Sequence, residues 1–495
     1  MTRVTIAAVV LLSIAATAQT QGGDPTLARI RTEGLERSQA AEVFTYLTVN
    51  IGPRLTASPA HKRAAEWTRD RLASYGLSNV HLEPWKFGRG WELQRLTLEL
   101  IEPRYLPLLG YADGWSAATA GEIVGAPVLV GGLSPEEIAA MGASIRGAIV
   151  LSQPMMTTFV RKDRPQPSDD DYVPNSAAYA TSVGQRPQTP GQETPQQRTQ
   201  RMTAALRGAG AAVILKPSIG EHGTVFVTGR DGGPGATPSI TMSGEHYNMI
   251  VRYVQQKIPV KLRVNVQSTF YDADGGNAYN VIAELPGTDP QLRDEVVMIG
   301  GHLDSWHTGV GATDNADGST TIMEAMRILK AAGARPRRTI RIALWGGEEQ
   351  GLLGSKAWVA EHLAGDANAA ARAKFDVYFN IDNGTGKIYG WYLQNNAEVR
   401  PIFDSWLEPL RSVGARKNTI EPVGSTDHLS FIDAGVPGFN PIQDYGNYDV
   451  RTHHTNMDTV DRVNIDDIRQ AAIVMATFAY NAANLDRKIP MRPAR

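Results

Sequence analysis

Acidic and imidazole side chains follow short apolar runs at several points in the C-terminal half of the chain. His302, Glu349 and Asp382 each lie just beyond such a run. Imidazole nitrogens and carboxylate oxygens are the groups that bind zinc in proteins. A further carboxylate beside such a metal can take a proton from water. The pattern therefore predicts a metal site that carries out hydrolysis.

The first motif is a histidine followed two residues later by an acid, His302 and Asp304. At that spacing the carboxylate can accept the second N–H of the ring, which fixes the tautomer that leaves the other nitrogen free for a metal. The same tripeptide pattern arises often by chance, and a lone histidine is more often packed or solvated than a ligand. The motif therefore gains weight only together with the others.

The second motif is a pair of adjacent carboxylates, Glu348 and Glu349, that follows two glycines. Adjacent acids repel each other, and the glycines give the backbone freedom to aim the two side chains at neighbouring points. One carboxylate can bind a metal while the other accepts the proton of a water molecule. The alternative is a solvated acidic turn at the start of a helix, where the helix dipole favours negative charge.

Three further positions complete the set of candidate ligands. Asp314 lies in a glycine-rich approach to a helix, where its alternative role is an N-cap. Asp382 ends an otherwise apolar strand, and buried acids need partners or metals. His453 and His454 lie in a segment with no evident structural role, although paired histidines on loops are often surface residues. The chain has no cysteine, which excludes disulfides and thiolate ligands, and imidazole ligands suit zinc.

Strands and helices alternate after residue 279, and these elements must position the candidate ligands. The predicted elements are strand 295–299, helix 316–332, strand 339–345, helix 352–363, strand 375–381, helix 398–413, the apolar run 436–442 and helix 465–485, with earlier helices at 36–50 and 60–76. The alternation predicts an α/β fold with a mostly parallel sheet and helices on both of its faces. Ligands bind such a sheet at the carboxyl ends of its strands.

The length of 495 residues and the hydrophobic content of 42% predict two or more globular units. Residues 19–118 and 271–495 are assigned to a catalytic domain, and residues 119–270 to an inserted β-rich domain. The insert's β-like runs are 127–130, 147–151, 212–215, 224–227 and 260–266. Within the insert, residues 163–200 are rich in Pro, Gln, Thr, Ser and Asp and are expected to form a long loop or to be disordered.

Residues 1–18 have the composition of a secretory signal peptide. Arg3 precedes an apolar run at 4–16, and Ala16-Thr17-Ala18 supplies the small residues of a cleavage site. The run is shorter than the roughly 20 apolar residues that span a bilayer, so a membrane anchor is disfavoured and no later segment predicts a span. The sequence predicts a secreted or periplasmic protein.

The balance of charge disfavours a nucleic-acid partner. Lys and Arg total 49 and Asp and Glu total 51, which gives a formal net charge of -2. A nucleic-acid-binding protein usually shows a basic patch or a run rich in Lys and Arg. The sequence has no such run.

Six motifs carry a resemblance to a known family. They are 51–58, 280–285, 301–306, 344–351, 379–382 and 453–459. In this order they resemble the motifs of the co-catalytic di-zinc exopeptidase family, which includes aminopeptidases and glutamate carboxypeptidases, with the carboxypeptidase Q branch nearest in likeness. The inserted region resembles the protease-associated domain that several members carry. The resemblance implies the family's phosphorylase/hydrolase-like α/β catalytic domain.

The resemblance implies five protein ligands for two zinc ions. The ligands of one ion would be His302, Asp314 and Asp382. The ligands of the other would be Asp314, Glu349 and His454, so that Asp314 bridges the two ions. Cobalt or manganese would fit the same groups.

The resemblance also implies the remaining roles in the site. Glu348 would be the general base, Asp304 would orient the neighbouring imidazole, and His453 is a candidate for stabilising the oxyanion. Asn315 stands where many members of the family have a second acid. The peptide bond between Asp314 and Asn315 is expected to be cis.

The function implied by the resemblance is the hydrolysis of short peptides from their ends, as an aminopeptidase, carboxypeptidase or dipeptidase. One alternative is a glutaminyl cyclase-like acyltransferase, which has a similar fold but uses a single zinc ion. A second alternative is a receptor-like protein that keeps the fold and lacks catalysis. The presence of all five ligand positions and of Glu348 argues against the second. The sequence leaves a homodimer open.

Overall fold

The computed structural model describes residues 24–164 and 193–492. Within these residues the strands are β1 (Ser78–Lys86), β2 (Gly90–Glu102), β3 (Leu106–Pro107), β4 (Gly110–Ala112), β5 (Ile123–Gly125), β6 (Pro127–Leu129), β7 (Ile149–Leu151), β8 (Val213–Pro217), β9 (Ser239–Met242), β10 (Lys261–Tyr271), β11 (Asn277–Leu285), β12 (Val296–His302), β13 (Thr339–Trp345), β14 (Phe375–Asn380), β15 (Ile388–Tyr392) and β16 (Gly438–Gln443). The expected signal peptide at 1–18 lies outside the described residues.

α-Helices occur from the beginning to the end of the described residues. They are Pro25–Glu36, Ala40–Thr45, Pro59–Ser74, Pro135–Met141, Pro195–Ala209, Gly244–Gln255, Asp317–Ala331, Leu353–His362, Ala369–Lys374, Arg400–Leu407, His428–Asp433 and Ile465–Asn484. Wider π-type turns occur at Tyr46–Ile51, Ala312–Ala316 and Tyr448–Thr452. No helix in the described part of the chain has both the length and the apolar character to cross a membrane.

A seven-stranded sheet forms the centre of the catalytic part, with the strand order β1-β11-β13-β12-β14-β16-β15. The four strands β13, β12, β14 and β16 are parallel neighbours. Every residue of β12 and β14 is buried. Strands buried on both faces belong to parallel sheets covered by helices, so the predicted α/β fold class is confirmed.

Two apolar cores cover the two faces of this sheet. Val297 of β12 belongs to the core under the helices Asp317–Ala331 and Ile465–Asn484. Its neighbour Met298 points to the opposite core, which lies under the helix Leu353–His362. Successive side chains of a strand point to opposite faces, so a continuous apolar run supplies both cores.

The edges of the sheet differ from the sequence prediction. β1, β11 and β15 were not predicted, and they join the sheet through antiparallel pairs. The sheet is therefore mixed, with a parallel centre. β1 lacked a strand signal because most of its side chains are exposed or half-buried and it contains Pro84. Such composition is typical of a strand at a sheet edge.

Two smaller sheets form the β-rich region. One has the order β4-β9-β8-β7-β6 and the other has the order β3-β2-β10-β5. Strands β2, β3 and β4 precede residue 119 and yet pair within these sheets, so this β-rich region begins earlier in the chain than the sequence predicts. The division of the chain into domains remains a prediction.

Two predictions within the insert need correction. The run 224–227 is not a strand, because only Phe226 forms a bridge, to Thr455. The expected loop at 163–200 falls mostly on residues 165–192, which lie outside the described residues, but its last residues begin the helix Pro195–Ala209. Thr194 starts that helix with a capping box, a signal that outweighs the polar composition around it.

Candidate metal centre

The strand ends bring the first group of predicted residues together. His302 is the last residue of β12, Glu348 and Glu349 follow β13, and Asp382 lies two residues beyond β14. Asp314 lies in the turn Ala312–Ala316, which leads into the next helix. Because parallel strands end at the same edge of a sheet, these side chains converge at the carboxyl edge of the central sheet.

The distances define two adjoining groups that share Asp314. On one side, Nε2 of His302 lies 3.2 Å from Oδ1 of Asp314, 3.8 Å from Oδ1 of Asp382 and 3.9 Å from Oε2 of Glu348. On the other side, Nε2 of His454 lies 3.4 Å from Oδ2 of Asp314 and 2.9 Å from Oε2 of Glu349. Asp314 thus turns one oxygen to each histidine. The five candidate ligands therefore lie in two adjoining groups around Asp314.

The peptide bond between Asp314 and Asn315 is cis, as expected. The amide of Asn315 donates a hydrogen bond to the carbonyl of Ile381 at 2.9 Å. Asn315 therefore ties the turn of Asp314 to the end of β14. This contact gives Asn315 a structural role at the position where the sequence departs from the family pattern.

Several buried polar atoms of this centre make no hydrogen bond of normal geometry among the described residues, although they lie at ion-pair distance from one another. They are Nε2 of His302, Oδ2 of Asp314 and both carboxylate oxygens of Glu349. Buried polar atoms are normally paired, so a group of such atoms converging on one point fits a bound cation. Two imidazoles and three carboxylates without thiolates form a donor set that suits zinc.

The pKa shifts of the side chains in this centre also fit a bound cation. Burial lowers the pKa of His302, but Glu348 and the other carboxylates around the ring raise it well above its usual value. Burial together with the charge of Asp314 raises the pKa of Glu349 to about 7. The cluster therefore carries an excess of negative charge that metal cations would neutralise.

Asp304 contacts the ring of His302 through its backbone carbonyl, whereas the sequence predicts a contact through its carboxylate. Nδ1 of His302 lies 3.0 Å from the backbone carbonyl of Asp304, and the carboxylate lies farther away, at 3.5 Å. That carboxylate instead accepts hydrogen bonds from the backbone N–H groups of Glu348 and Glu349 and from the hydroxyl of Thr56. Asp304 therefore holds both the imidazole and the loop of paired acids.

His453 and His454 both face Asp314, but at different distances. His453 Nε2 is 4.0 Å from Oδ2 of Asp314, which is farther than the 3.4 Å of His454. The ring of His453 stacks on Tyr448 at 5.0 Å. His454 alone of the two also approaches Glu349, so the geometry favours it as the ligand.

The loop that carries His454 is held by the β-rich region. Arg164 forms a bidentate ion pair with Asp449, at 2.7 Å for its shortest contact, and both side chains are buried. Asp163 accepts hydrogen bonds from two backbone N–H groups of the same loop. The N–H of Val227 donates to the carbonyl of His454 at 2.9 Å. Sequence reasoning missed this support because Asp163 and Arg164 fall in the stretch expected to be a loop.

Two further positioning residues surround the turn of Asp314. Asp458 accepts hydrogen bonds from the backbone N–H groups of Thr313 and Asp314 at 2.7 and 3.2 Å. Arg54 is fully buried and donates to the backbone carbonyls of residues 303, 310 and 311. Both lie in family-like motifs of the sequence, at 453–459 and 51–58, but their roles depend on contacts that only the fold creates.

A third missed residue is Asp427, which lies behind the metal cluster. It is fully buried and accepts a hydrogen bond from the hydroxyl of Ser355 at 2.5 Å. Burial raises its pKa to about 7, and the negative charges of Asp382 and Asp304 act in the same direction. No pattern in the sequence marked this acid, because it is far along the chain from the runs that end at His302, Glu349 and Asp382.

The fold and this cluster of histidine and carboxylate side chains define a metal-dependent hydrolase of the α/β class. A model of the family described as Peptidase family M28 matches residues 280–479, which span the strand ends and the histidine loop. Residues 280–479 are thus similar to peptidase family M28, and the chain is a metallopeptidase.

Individual proteins and solved structures are similar to this chain over most of its length. Carboxypeptidase Q of Bos taurus is 28% identical over 459 residues, which cover 92% of this chain and 88% of that protein. The crystal structure of a peptidase M28 precursor from Shewanella amazonensis SB2B matches with a TM-score of 0.71 and 26% identity, over 95% of this chain and 99% of that one. BSAP, a zinc aminopeptidase from Bacillus subtilis, shares the fold with a TM-score of 0.59 and 20% identity, over 91% of this chain and 96% of its own.

Proposed function

We propose that this chain is a zinc-dependent exopeptidase that hydrolyses short peptides at a site for two zinc ions. The observation that carries the proposal is the position of Asp314, whose two oxygens face two different histidines. A shared carboxylate between two groups of ligands is the arrangement that a two-metal hydrolytic site requires. Peptide hydrolysis accords with the family and with the carboxypeptidase Q and aminopeptidase relatives.

Of the residues that would hold the metals, His302, Asp314 and Glu349 have buried polar atoms without a hydrogen bond. Asp382 lies 3.8 Å from His302, and His454 lies 3.4 Å from Asp314. One ion would bind to His302, Asp314 and Asp382, and the other to Asp314, Glu349 and His454. Two zinc ions bound here would supply Lewis-acid polarisation of the substrate carbonyl and a lowered pKa for the attacking water.

Glu348 is the residue that we assign to proton transfer. It lies beside the cluster without being needed as a ligand, and its side chain is buried. Burial raises its pKa well above the usual value, which suits a group that first accepts a proton from water and then delivers it to the leaving amine. Asp304 holds the backbone of Glu348 in place through the hydrogen bond at 3.2 Å.

His453 is our candidate for stabilising the oxyanion. Burial lowers its pKa well below the usual value, so the ring is neutral at physiological pH. A neutral imidazole still has one N–H, which can donate a hydrogen bond to a developing negative charge. Stacking on Tyr448 fixes the plane of the ring.

We also propose how the chain is organised around this activity. Residues 19–118 and 271–495 form the catalytic domain, except that β2, β3 and β4 pair within the sheets of the inserted domain at 119–270. Residues 1–18 are a signal peptide that directs the enzyme to the periplasm or the medium. The substrate is a short peptide. Mass spectrometry of the secreted protein tests the cleavage after Ala18.

A pair of variants tests the mechanism. Glu348→Gln keeps the size of the side chain but cannot accept the proton of water, so peptide hydrolysis should fall by about 10²–10⁴-fold. Zinc content, measured by atomic emission after dialysis, should stay at two ions per chain. Glu349→Ala should instead lower both the zinc content and the activity, because it removes a ligand oxygen.

Three outcomes would contradict the proposal. Loss of zinc in Glu348→Gln together with its retention in Glu349→Ala would exchange the two roles. A Glu348→Gln variant as active as the parent would exclude the general-base role. A parent that binds one zinc ion and cyclises N-terminal glutamine would identify an acyltransferase instead of a peptidase.

A further inference from the structure

A second cluster of imidazole and carboxylate side chains lies at the edge of the central sheet, where β1 meets the end of a helix. This edge cluster consists of His81 and Glu83 of β1 and of Glu361 and His362, the last two residues of the helix Leu353–His362. The helix starts just after the loop of paired acids, and its 10 residues rise by about 15 Å. The edge cluster therefore lies at the end of the helix that points away from the metal centre.

The pleat of β1 turns His81 and Glu83 to the same face of the sheet, because residues two apart on a strand point the same way. His81 is paired with Ile282 of β11, whose side chain belongs to the core under the helix Leu353–His362. Leu82, between the two, packs on the core of the opposite face. β1 stands at the end of the strand order. The side chains of His81 and Glu83 therefore meet the end of that helix at the rim of the sheet.

The carboxylate of Glu83 stands between two imidazole rings. Its Oε1 lies 2.6 Å from Nε2 of His362, and its Oε2 lies 3.7 Å from Nε2 of His81. A carboxylate oxygen of Glu361 lies within 4.8 Å of the ligand atoms of Glu83 and His362. Atoms that bind one zinc ion stand about 2.0–2.2 Å from it, so they lie roughly 3–4 Å from one another. Small side-chain rotations therefore suffice to bring these four groups around a single ion.

The tautomer of His81 is set by the backbone. Its Nδ1 lies 2.9 Å from the carbonyl oxygen of Asn79, and a carbonyl can only accept, so Nδ1 carries the proton. In the neutral ring, Nε2 then presents a lone pair to Glu83 at 3.7 Å, which is beyond hydrogen-bond length. Two acceptors that face each other repel, and a cation between them binds both. An imidazole whose second nitrogen donates to a carbonyl is also the usual form of a metal-binding histidine.

His362 is held in place as well, in a region of negative charge. Its ring lies 4.7 Å from that of Trp358, which is buried one turn earlier in the same helix. The carboxyl end of a helix carries partial negative charge, which favours a cation there. Among the described residues, Glu83 forms ion pairs with the two histidines alone, and Glu361 has no lysine or arginine at ion-pair distance. The guanidinium of Arg372 instead donates to carbonyls just beyond the helix.

The two elements that meet at the edge cluster also flank the loop of paired acids. β1 continues to Trp85, whose ring lies so close to Gly347 that a Cβ added there would meet it at 2.7 Å. The helix that ends at His362 starts directly after the same loop. An ion held between β1 and this helix therefore fixes the relative position of the two elements on either side of the loop.

We propose that the edge cluster is a third metal site, which binds a divalent cation of the zinc type through His81, Glu83 and His362, with Glu361 as a fourth ligand. Imidazole nitrogens combined with carboxylate oxygens suit zinc, whereas calcium and magnesium prefer oxygen ligands alone. The ion joins the edge strand to the helix and takes no part in hydrolysis. The inference goes beyond the proposed function and does not depend on it.

Zinc titration of the dialysed parent protein tests the site. The imidazoles of the edge cluster are 41% and 40% exposed, so their ion should be lost in dialysis while the buried metal centre keeps its own. Isothermal titration calorimetry should then show the uptake of one zinc ion per chain beyond those retained. In His81→Gln/His362→Gln this uptake should weaken by more than the roughly 10–100-fold that loss of a ligand's partner costs.

Histidine footprinting gives a second reading that needs no variant. Diethyl pyrocarbonate modifies exposed imidazole nitrogens, and mass spectrometry of the peptides identifies the modified rings. Zinc at the concentrations of the titration should largely prevent the modification of His81 and His362. His222 is exposed in the β-rich region, and its rate of modification should be the same with and without zinc. His222→Gln is the matched control for the double variant and should keep the additional ion.

Several results would overturn the inference. They are a parent that takes up no zinc beyond the retained ions, a double variant with the parent's uptake and affinity, and unprotected rings at His81 and His362. Loss of the additional ion in His222→Gln would also overturn it, because zinc would then bind exposed histidines in general. Calcium or magnesium bound as tightly as zinc would exclude the imidazoles as ligands. A dialysed parent that cleaves no peptide contradicts the proposed function and leaves the edge cluster unaffected.

Discussion

The two sides of the metal centre are built differently. His302, Asp382 and the paired acids stand at the ends of three parallel strands, in which every residue except Arg341 is buried. His454 stands on a loop, and its side chain is 28% exposed whereas that of His302 is fully buried. The loop takes its position from Arg164 and from Val227 of the β-rich region.

This difference shows which interactions fix the side-chain positions on each side of the metal centre. The strand side is fixed by the register of the sheet and by packing on both faces, so it is formed by the catalytic fold itself. The loop side depends on a small number of hydrogen bonds and one buried ion pair to a different part of the chain. Side chains held by packing and by further hydrogen bonds keep their geometry best, so the loop side should be the easier one to disturb.

The largest expected effect comes from removing a histidine on either side. His302→Ala and His454→Ala should each lose more activity than the roughly 10–100-fold typical for a partner of a metal ligand. Added imidazole should partly restore His454→Ala, because that position is reached by solvent, and should not restore the sealed position of His302→Ala. Equal rescue of both variants would remove the distinction between the two sides.

The next effect concerns the ion pair that supports the loop. Arg164→Met leaves Asp449 buried without its partner, and breaking a buried pair costs about 3–5 kcal/mol. The affinity for the zinc ion on the His454 side should fall by about 10–100-fold, whereas the other ion should be retained. Chelator competition followed by metal analysis measures both affinities.

The matched control for that variant lies at the opposite end of the sheet. Arg338 is also buried and is paired with Glu295 at 2.7 Å, just before β13. Arg338→Met should destabilise the protein by a similar amount without a change in either zinc affinity. If Arg338→Met weakens zinc binding as much as Arg164→Met does, the loop has no special dependence on Arg164.

The pH dependence of stability should have opposite signs in the two regions. On the strand side, burial raises the pKa of Asp376 to about 6 against the opposing effects of Ile489 N–H and Arg338. The native state then binds a proton that the unfolded state releases, so this group's contribution to stability falls as the pH rises from about 4 through 6. The difference of about two pKa units corresponds to about 3 kcal/mol.

Asp449, on the loop side, behaves in the opposite way. Burial raises its pKa, but hydrogen bonds and charge from Arg164 outweigh burial and lower it. Its stabilisation is present above the unfolded pKa of 3.8 and is lost as the pH falls through the lower folded value.

Urea unfolding of Asp376→Asn and Asp449→Asn in chelator measures both effects. Between pH 4 and 7, Asp376→Asn should gain stability relative to the parent. Asp449→Asn should be less stable than the parent throughout that range, and its deficit should shrink only below about pH 4. Parallel pH curves for the two variants would contradict the assigned pKa shifts.

The smallest expected effect is in the β-rich region away from both sides. Ser134 caps the helix Pro135–Met141 with a capping box. Ser134→Ala should cost about 1 kcal/mol, seen as faster hydrogen exchange in that helix, with no change in zinc affinity. A loss of zinc in this variant would mean that the whole β-rich region, and not only Arg164 and Val227, controls the loop.

The sequence by itself determined the strand side of the site. Buried strands need continuous apolar residues, so the runs before His302 and Glu349 and the run ending at Ile381 marked β12, β13 and β14 directly. The polar residue that follows such a run must lie at the carboxyl edge of the sheet, so the sequence alone marks His302, Glu349 and Asp382 as candidate ligands.

The sequence did not predict the strands at the sheet edges or the long-range contacts that hold the loop of His454. β1 has mixed exposure and therefore no clear period. Asp163 and Arg164 lie in a polar stretch whose composition is typical of a loop, yet they are fixed by partners almost three hundred residues away. Pairing over such distances leaves no local signature, because neither partner's neighbours need a special pattern.

The sequence thus determined the α/β class, the strand ends that carry the candidate ligands and, through the resemblance, the choice of His454 as a candidate ligand. Only the tertiary structure decided that Asp304 holds the loop of Glu348 through its carboxylate, and that Arg164 and Val227 hold the loop of His454. The physical reason is that apolar periodicity is written into neighbouring residues, whereas a hydrogen bond or ion pair between remote segments exists only after the chain has folded.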